Sequence, residues 1–457
     1  MTTAQTPLEE IIVDHIAENQ FDDLDEQTID CCKKLILDTL GVAFPGRQAP
    51  GSREVVDLVT SWQTVRGASV LLSGGQATPP QAALANSTIM HAMDFDDTLD
   101  ASALHTFVSV LPAALAAAET RGNVSGKTLI GALVSGVDVI CRISLAIDRP
   151  LSWIRTATCG CFGAAAAAAK ILGLDREQIA NALGIVYGQT SGNAQGLIEG
   201  RLIKRMQPGF SASAGVLSAF LAEKGITGSR RFLTGPYGYY QLYEQGAFDP
   251  AAVTDGLGTH QSIVDLSLKP YPSCRMTHAS IDGALSLKDR LSSPAEIERI
   301  NVSVCSMATE MVGKPFKLGT NPQVDAQFSI PYTVACALIR GDVFLQDFET
   351  EAISDPEIAA LAKRVHVETD PNLSAKDILQ SNMTVTCKDG TRVSERVPVP
   401  LGNPGNPMDT DQCRQKFSKC LAYSGYPLSD AAREDLFAKI DHLDALTDVN
   451  EIIRIIA

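Results

Sequence analysis

The chain has 457 residues, 45% of them hydrophobic and 20% charged. That is enough apolar sequence for a sizeable core and two or more domains, and too much for a disordered protein. The formal net charge of −15 argues against nucleic acid as a partner, because phosphate binding needs a basic footprint. It also means that any anionic substrate must be held by local cations against the overall field.

The start, MTTAQTPLEE, lacks the basic n-region and apolar run of a secretory signal. A cytoplasmic location with reduced thiols is expected. Of the eleven cysteines only Cys31-Cys32 and Cys159-x-Cys161 stand close together. No paired CxxC suggests structural zinc, and no three cysteines are placed to hold an iron–sulfur cluster. From Ile29 onward Cys32, Ile36, Leu40 and Ala43 recur at helical spacing, and Pro45-Gly46 is expected to end that helix.

The stretch His91-Ala-Met-Asp-Phe-Asp-Asp-Thr98 places three carboxylates, a histidine and a threonine within eight residues, flanked by apolar, alanine-rich sequence. A helical reading puts His91, Asp94 and Thr98 on one face, since residues three and four apart are neighbours there, and points Asp96 elsewhere. Burying unpaired charge is costly, so such a cluster reads either as a site or as a helix end with solvated acids.

Further along, 107–119, 126–146, 160–172 and 177–190 are rich in Ala, Gly, Leu and Val, and are expected as buried, closely packed helices. The segment from Thr128 to Ile147 is interrupted by Asp138 and Arg142, so no membrane span is expected. After about residue 265 the pattern changes. Ile300, Val302 and Val304 alternate with polar residues, as do Val365 and Val367. Met383, Val385 and Cys387 lead into Asp389-Gly390, a hairpin signal, with Val393 beyond. Helical sequence returns at 409–422 and 429–440, after the Pro-Gly cluster at 398–407.

Proton abstraction next to a carboxylate needs a base, and cations to hold the substrate and stabilise an enolate-like intermediate. Arg201, Lys204 and Arg205, then Lys269 and Arg275, are the candidate cations. Lys204 precedes Pro208-Gly209, read as a turn before an apolar helix. It stands either at an anion-favouring helix entrance or in a solvated basic turn.

HAMDFDDT, TATCGCFGAAAAAAKILGL (156–174), KRMQPGFSASAGVLSAFLAEKG (204–225), KPYPSCRMTH (269–278) and DAQFSIPY (325–332) occur in that order. With these five motifs nearly the whole chain resembles the MmgE/PrpD family, whose members include 2-methylcitrate dehydratase, cis-aconitate decarboxylase and iminodisuccinate epimerase. The resemblance implies a mostly α fold: a large all-helical domain from residues 1–265 and 403–457, with an α/β lid inserted over 266–402. It implies a lyase without cofactor or metal, acting on a small di- or tricarboxylic acid. An epimerase, or a non-catalytic binder on the same fold, is the alternative. No nucleic acid or membrane partner is implied, and a homodimer is expected.

Carried onto this sequence, the resemblance gives Asp94, His105, Lys204, Lys269 and Tyr332 as catalytic residues. It gives Thr98, Arg155, Cys274, Arg275 and His278 as substrate-binding residues. His105 follows Thr98 by seven residues, one more than in some members. Cys274 stands where the decarboxylase branch is expected to carry a histidine, and reads as an acid–base thiolate or an inert buried cysteine. His278 ends the KPYPSCRMTH motif and reads as a substrate ligand or as a group that orients the lid, while Tyr332 reads as a proton donor or a core tyrosine. In Trp153-Ile154-Arg155-Thr156, Ile154 replaces a histidine expected of the dehydratases and decarboxylases.

Overall fold

Helix starts are set by short polar side chains. Asp25, Ser125, Asp175 and Asp409 each accept a backbone N–H from the residue three positions on, satisfying donors that the first turn leaves without a partner. In this computed structural model residues 6–62, 64–65, 67–150, 153–319 and 321–457 are described. The principal helices are α1 (Leu8–Glu18), α2 (Glu26–Gly46), α3 (Pro79–His91), α4 (Phe107–Arg121), α5 (Gly126–Leu145), α6 (Gly160–Leu172), α7 (Arg176–Tyr187), α8 (Ile203–Glu223), α9 (His278–Lys288), α10 (Ile330–Arg340), α11 (Thr410–Ser424) and α12 (Asp430–Asp441).

The chain forms two compact units. The first comprises residues 1–266 and 409–457, so it is built from both ends of the sequence. It is mostly α, with α4, α5 and α8 packed around the alanine-rich α6, and α11 on α2. It is not all-helical: β1 (Ala68–Val70) and β2 (Gly75–Ala77) form a short antiparallel hairpin.

Small residues set the spacing. A Cβ on Gly215 of α8 would lie 2.6 Å from the Ala164 Cβ, closer than atoms pack. Helix α2 ends at Gly46, where the Pro45-Gly46 pair predicts its end. A Cβ on Gly46 would sit 1.8 Å from the Ile89 carbonyl oxygen of α3, so this glycine also serves helix contact.

Helix α5 is long and apolar enough to cross a membrane, yet 89% of its most apolar window is buried within the protein. Asp138 and Arg142 pair along it at 2.7 Å, and Asp138 also meets His15 at 2.9 Å and the Ser262 hydroxyl at 2.6 Å. A fully buried charge tolerates its position only when paired in this way. The helix is core.

The second unit covers residues 267–408. Its four strands are β3 (Ile297–Val304), β4 (Val365–Thr369), β5 (Ser381–Cys387) and β6 (Arg392–Val397), in the order β4-β3-β5-β6. β3 and β4 are parallel, with Ile300 opposite Val365, while β5 is antiparallel to both β3 and β6. The Asp389-Gly390 turn joins β5 to β6, with Gly390 at φ 85° where a Cβ would be strained. Ile300, Val302, Val304, Met383 and Val385 share a core with residues of α9 and α10.

Candidate functional site

Helix α3 ends at His91, and its last turn lies against the start of α8. Their approach depends on Gly209, where a Cβ would come within 2.7 Å of the Leu84 carbonyl oxygen. Pro208-Gly209 is therefore inside α8 and not a turn before it, and Lys204 sits in the first turn of that helix.

Beyond His91 the chain leaves helical geometry. Asp94 adopts φ 54°, a left-handed conformation that Asp tolerates better than most residues. The predicted face of His91, Asp94 and Thr98 does not form. Asp94 turns to Lys204, whose Nζ donates to its Oδ1 at 3.1 Å. Asp96, expected to point away, is fully buried and central. Its Oδ2 accepts a hydrogen bond from His91 Nδ1 at 2.8 Å and lies 2.9 Å from His105 Nδ1. The two imidazoles stand edge to face, 4.9 Å apart. Asp97, also fully buried, accepts from the Thr106 amide at 2.9 Å, the Thr106 hydroxyl at 2.8 Å and the Phe107 amide at 3.2 Å. It thus caps α4, where a negative charge suits the helix dipole. The acids of this motif are not a solvated helix end.

His105 is brought back by a tight loop. Leu99 and Leu104 pair across it, one helical turn spans Asp100–Ser102, and Ala103 closes it at φ 49°. Thr98 is buried just before the loop. The segment after Ile154 braces it. The Thr156 hydroxyl accepts the His105 amide at 3.1 Å, and Arg155 donates to the Ser102 hydroxyl at 3.2 Å and the Arg149 carbonyl at 2.7 Å. Arg155, expected to bind substrate, is committed to backbone and loop. Ile154 is buried.

From the far end of the chain, α11 contributes Lys416. Its buried ammonium pairs with Asp38 of α2 at 2.6 Å, donates to the Phe95 carbonyl at 2.8 Å and lies 3.9 Å from the centre of the Phe95 ring. Phe95 is the residue between Asp94 and Asp96, so the acidic loop is pinned at its middle.

The electrostatics follow from burial and pairing. Burial pushes the Asp96 carboxyl up, but the His105 and His91 rings outweigh it and hold it well below the usual carboxylate range. Burial, helped by Lys204, lowers His91 to about 4 although Asp96 opposes this. Burial and the neighbouring Asp96 charge raise Asp97 to about 6. At neutral pH the arrangement is an ionised Asp96 shared by two imidazoles, one of them firmly neutral, beside a lysine–aspartate pair. His91, Asp96 and His105 also form a donor set of the kind that can hold a metal ion, with ligand atoms within 4.8 Å of one another.

The remaining expected residues lie in the second unit. Lys269 and Arg275 are buried and Cys274 half-buried. Arg275 donates to His278 Nδ1 at 3.0 Å, the Leu401 carbonyl at 3.2 Å and the Ser267 hydroxyl at 3.3 Å. Since an arginine only donates and a carbonyl only accepts, His278 is the neutral ring with its proton on Nε2, directed to the Ser273 carbonyl at 3.3 Å. It orients its own segment. Tyr332, expected to be catalytic, is a core residue. It is fully buried between Phe316 and Phe348, its hydroxyl donates to the Asp347 carbonyl, and burial pushes its pKa up.

Sequence reasoning missed Asp96 and Lys416. The first was legible in principle, since aspartate is a poor residue for a helix interior and a broken helix frees Asp96 to face His91. The second leaves no local signal.

The order of these elements extends across known proteins. Residues 10–251 match the MmgE/PrpD N-terminal domain and residues 271–442 the MmgE/PrpD C-terminal domain. The chain is 27% identical to cis-aconitate decarboxylase of Mus musculus, over 93% of this chain and 88% of that protein. It is 27% identical to cis-aconitate decarboxylase of Aspergillus terreus, over 95% and 93%. To 2-methylcitrate dehydratase of Cupriavidus necator it is 26% identical, over 82% and 81%. With both domains matched, in order and nearly end to end, this chain belongs to the MmgE/PrpD family.

Proposed function

We propose that this chain is a lyase, of dehydratase or decarboxylase type, that acts on a small di- or tricarboxylic acid by proton transfer next to a carboxylate. The observation that carries the reading is the juxtaposition in the first unit of His105 on Asp96 with Lys204 on Asp94. His105 takes the proton through Nε2, the ring atom not turned to Asp96, and Asp96 compensates the imidazolium that forms. Lys204 holds a substrate carboxylate and stabilises the negative charge that collects on its oxygens as the proton leaves. Expulsion of hydroxide, reprotonated on departure, completes a dehydration. Return of that proton to another carbon of the frame, then loss of carbon dioxide with the electron pair it leaves on carbon taking a second proton from solvent, completes a decarboxylation. The relatives whose names carry these activities support the class of reaction. The same proposal gives residues 267–408 the role of a lid, with Lys269 and Arg275 as its cations, and needs no cofactor.

Ile154 favours a second reading. An isoleucine neither transfers a proton nor binds a carboxylate, so an epimerase of a smaller dicarboxylate, returning the proton to the opposite face, is the alternative. One assay separates these outcomes. Purified protein is incubated in deuterated water with cis-aconitate, 2-methylcitrate and smaller dicarboxylates, followed by mass spectrometry. Loss of water, or loss of carbon dioxide with deuterium gained at carbon, supports a lyase. Deuterium incorporation with inversion supports the epimerase. Neither exchange nor turnover with any acid refutes both and leaves a binder.

The expected homodimer joins this proposal. Ile203, Phe210 and Leu217 recur every two turns along α8 and are each about 40% exposed, an apolar stripe suited to a second copy. Sedimentation as a monomer at micromolar concentration would reject it.

A further inference from the structure

The motif's acids do different work, and Asp96 has the geometry of an orienting group. Two imidazoles meet a single oxygen of its carboxylate, His91 Nδ1 at 2.8 Å and His105 Nδ1 at 2.9 Å. An ionised carboxylate can only accept, so the His91 Nδ1 hydrogen-bonded to it carries the proton. His105 Nδ1 meets the same oxygen as an ion contact outside hydrogen-bond geometry, and at 2.9 Å a proton on that nitrogen removes the repulsion between two lone pairs. The other carboxylate oxygen is buried without a hydrogen bond, so no further hydrogen-bond donor is shown sharing the carboxylate with the two rings.

The carboxylate is also fixed in place from both sides. Lys416 grips the Phe95 carbonyl and ring on one side, and Asp97 is tied to the first amides of α4 on the other. We propose that Asp96 is the positioning residue of this site, holding His105 and His91 as Nδ1–H tautomers so that each presents an Nε2 lone pair away from the carboxylate. The assignment rests on the reading of His105 as the base and adds what prepares it. A ring of the opposite tautomer would present an N–H to the substrate and could not take its proton. His91 is the second acceptor. It shares the charge of Asp96, stays neutral in its buried position, and keeps the carboxylate from collapsing onto His105 alone.

The same three residues could hold a divalent cation. Bound between Asp96 Oδ2 and the two Nδ1 atoms that face it, the cation would take the Nδ1 lone pairs, and Nδ1 would then carry no proton. The two possibilities therefore predict opposite protonation at the same atoms. Long-range proton–nitrogen correlation spectra of the ¹⁵N-labelled protein near neutral pH read this directly. The two rings are assigned by substituting each in turn.

The expected result, before and after treatment with EDTA, is a protonated Nδ1 and an unprotonated Nε2 on both His91 and His105. Asp96→Asn should convert at least His105 to a tautomer mixture. It should lower the rate on any acid turned over by about 10³- to 10⁴-fold, while KM moves little. Asp96→Glu should retain the tautomers in part and recover part of the rate.

A wild-type His105 protonated on Nε2, or rings whose Nδ1 gains a proton only after EDTA, would overturn the assignment. So would a folded Asp96→Asn variant with unchanged tautomers. Should that variant fail to fold, the wild-type spectrum alone decides. Fixed tautomers in a protein that turns over no carboxylic acid would refute the proposed function and leave this assignment standing.

Discussion

Lys204→Met separates binding from stability. The Lys204–Asp94 pair spans 3.1 Å, but the two side chains are 26% and 22% exposed, so solvent screens it. Its loss should cost at most ~1 kcal/mol of folding stability, a shift of ~1 °C in Tm for a chain of this size. The effect on activity should be far larger. A charge-assisted contact to a substrate carboxylate is worth ~1.5–3 kcal/mol, which converts to a ~10- to 150-fold loss in kcat/KM. Lys204 also bears on His91, whose pKa it helps to lower. In the variant the His91 titration should therefore move up from about 4 toward the usual imidazole range. Three measurements on one preparation suffice: thermal unfolding, steady-state rates and the His91 titration by NMR. A folded variant with wild-type kcat/KM and an unmoved His91 would remove Lys204 from the site and refute the reasoning.

Other expectations follow from the same geometry. Activity should survive dialysis against a chelator, and a loss restored by added metal would make the His91–Asp96–His105 cluster a metal centre. Because Ile154 stands in place of a histidine, cis-aconitate and 2-methylcitrate should be poor substrates; kcat/KM of roughly 10⁴ M⁻¹s⁻¹ or more on either would show the histidine dispensable. His91, lowered to about 4, contributes stability that is present above about 6.5 and lost as pH falls toward 4. Asp97, raised to about 6, has the opposite sign, its contribution being lost as pH rises from about 4 to 6. Asp97→Asn should therefore steepen the rise of stability with pH between 4 and 6, measured by denaturant titration, and an unchanged slope would reject the pairing of effects. Gly209→Ala should cost ~1–3 kcal/mol by forcing α3 and α8 apart, and a variant of wild-type stability would show that the helices can give way.

Much of the architecture is written in local pattern. The alternation of Ile300, Val302 and Val304 is the buried face of β3, and Asp389-Gly390 makes the turn where its dipeptide predicts one. The Ala-rich run at 107–119 and the Ala- and Gly-rich run at 160–172 became α4 and α6 because small residues let helices approach. What misled was context that no local rule carries. Pro208-Gly209 looks like a break, yet it lies inside α8 and its glycine is spent on contact with a helix distant in sequence. The helical reading of 91–98 failed at Asp94, whose left-handed backbone reverses which acids face inward. A family tyrosine at 332 pointed to chemistry, while its hydroxyl is taken by a backbone carbonyl.

The grip of Lys416 on Phe95 has a consequence for how the protein is made. The two residues are 321 positions apart, and at ~5–20 residues per second the lysine leaves the ribosome ~16–64 s after the loop it secures. During that interval α2 and α3 can pack, and all of residues 267–408 can be completed, while the acidic loop still waits for its clamp. Contacts of such long range are slow to close, so the Asp94–Asp97 segment gains its clamp only once α11 has been made.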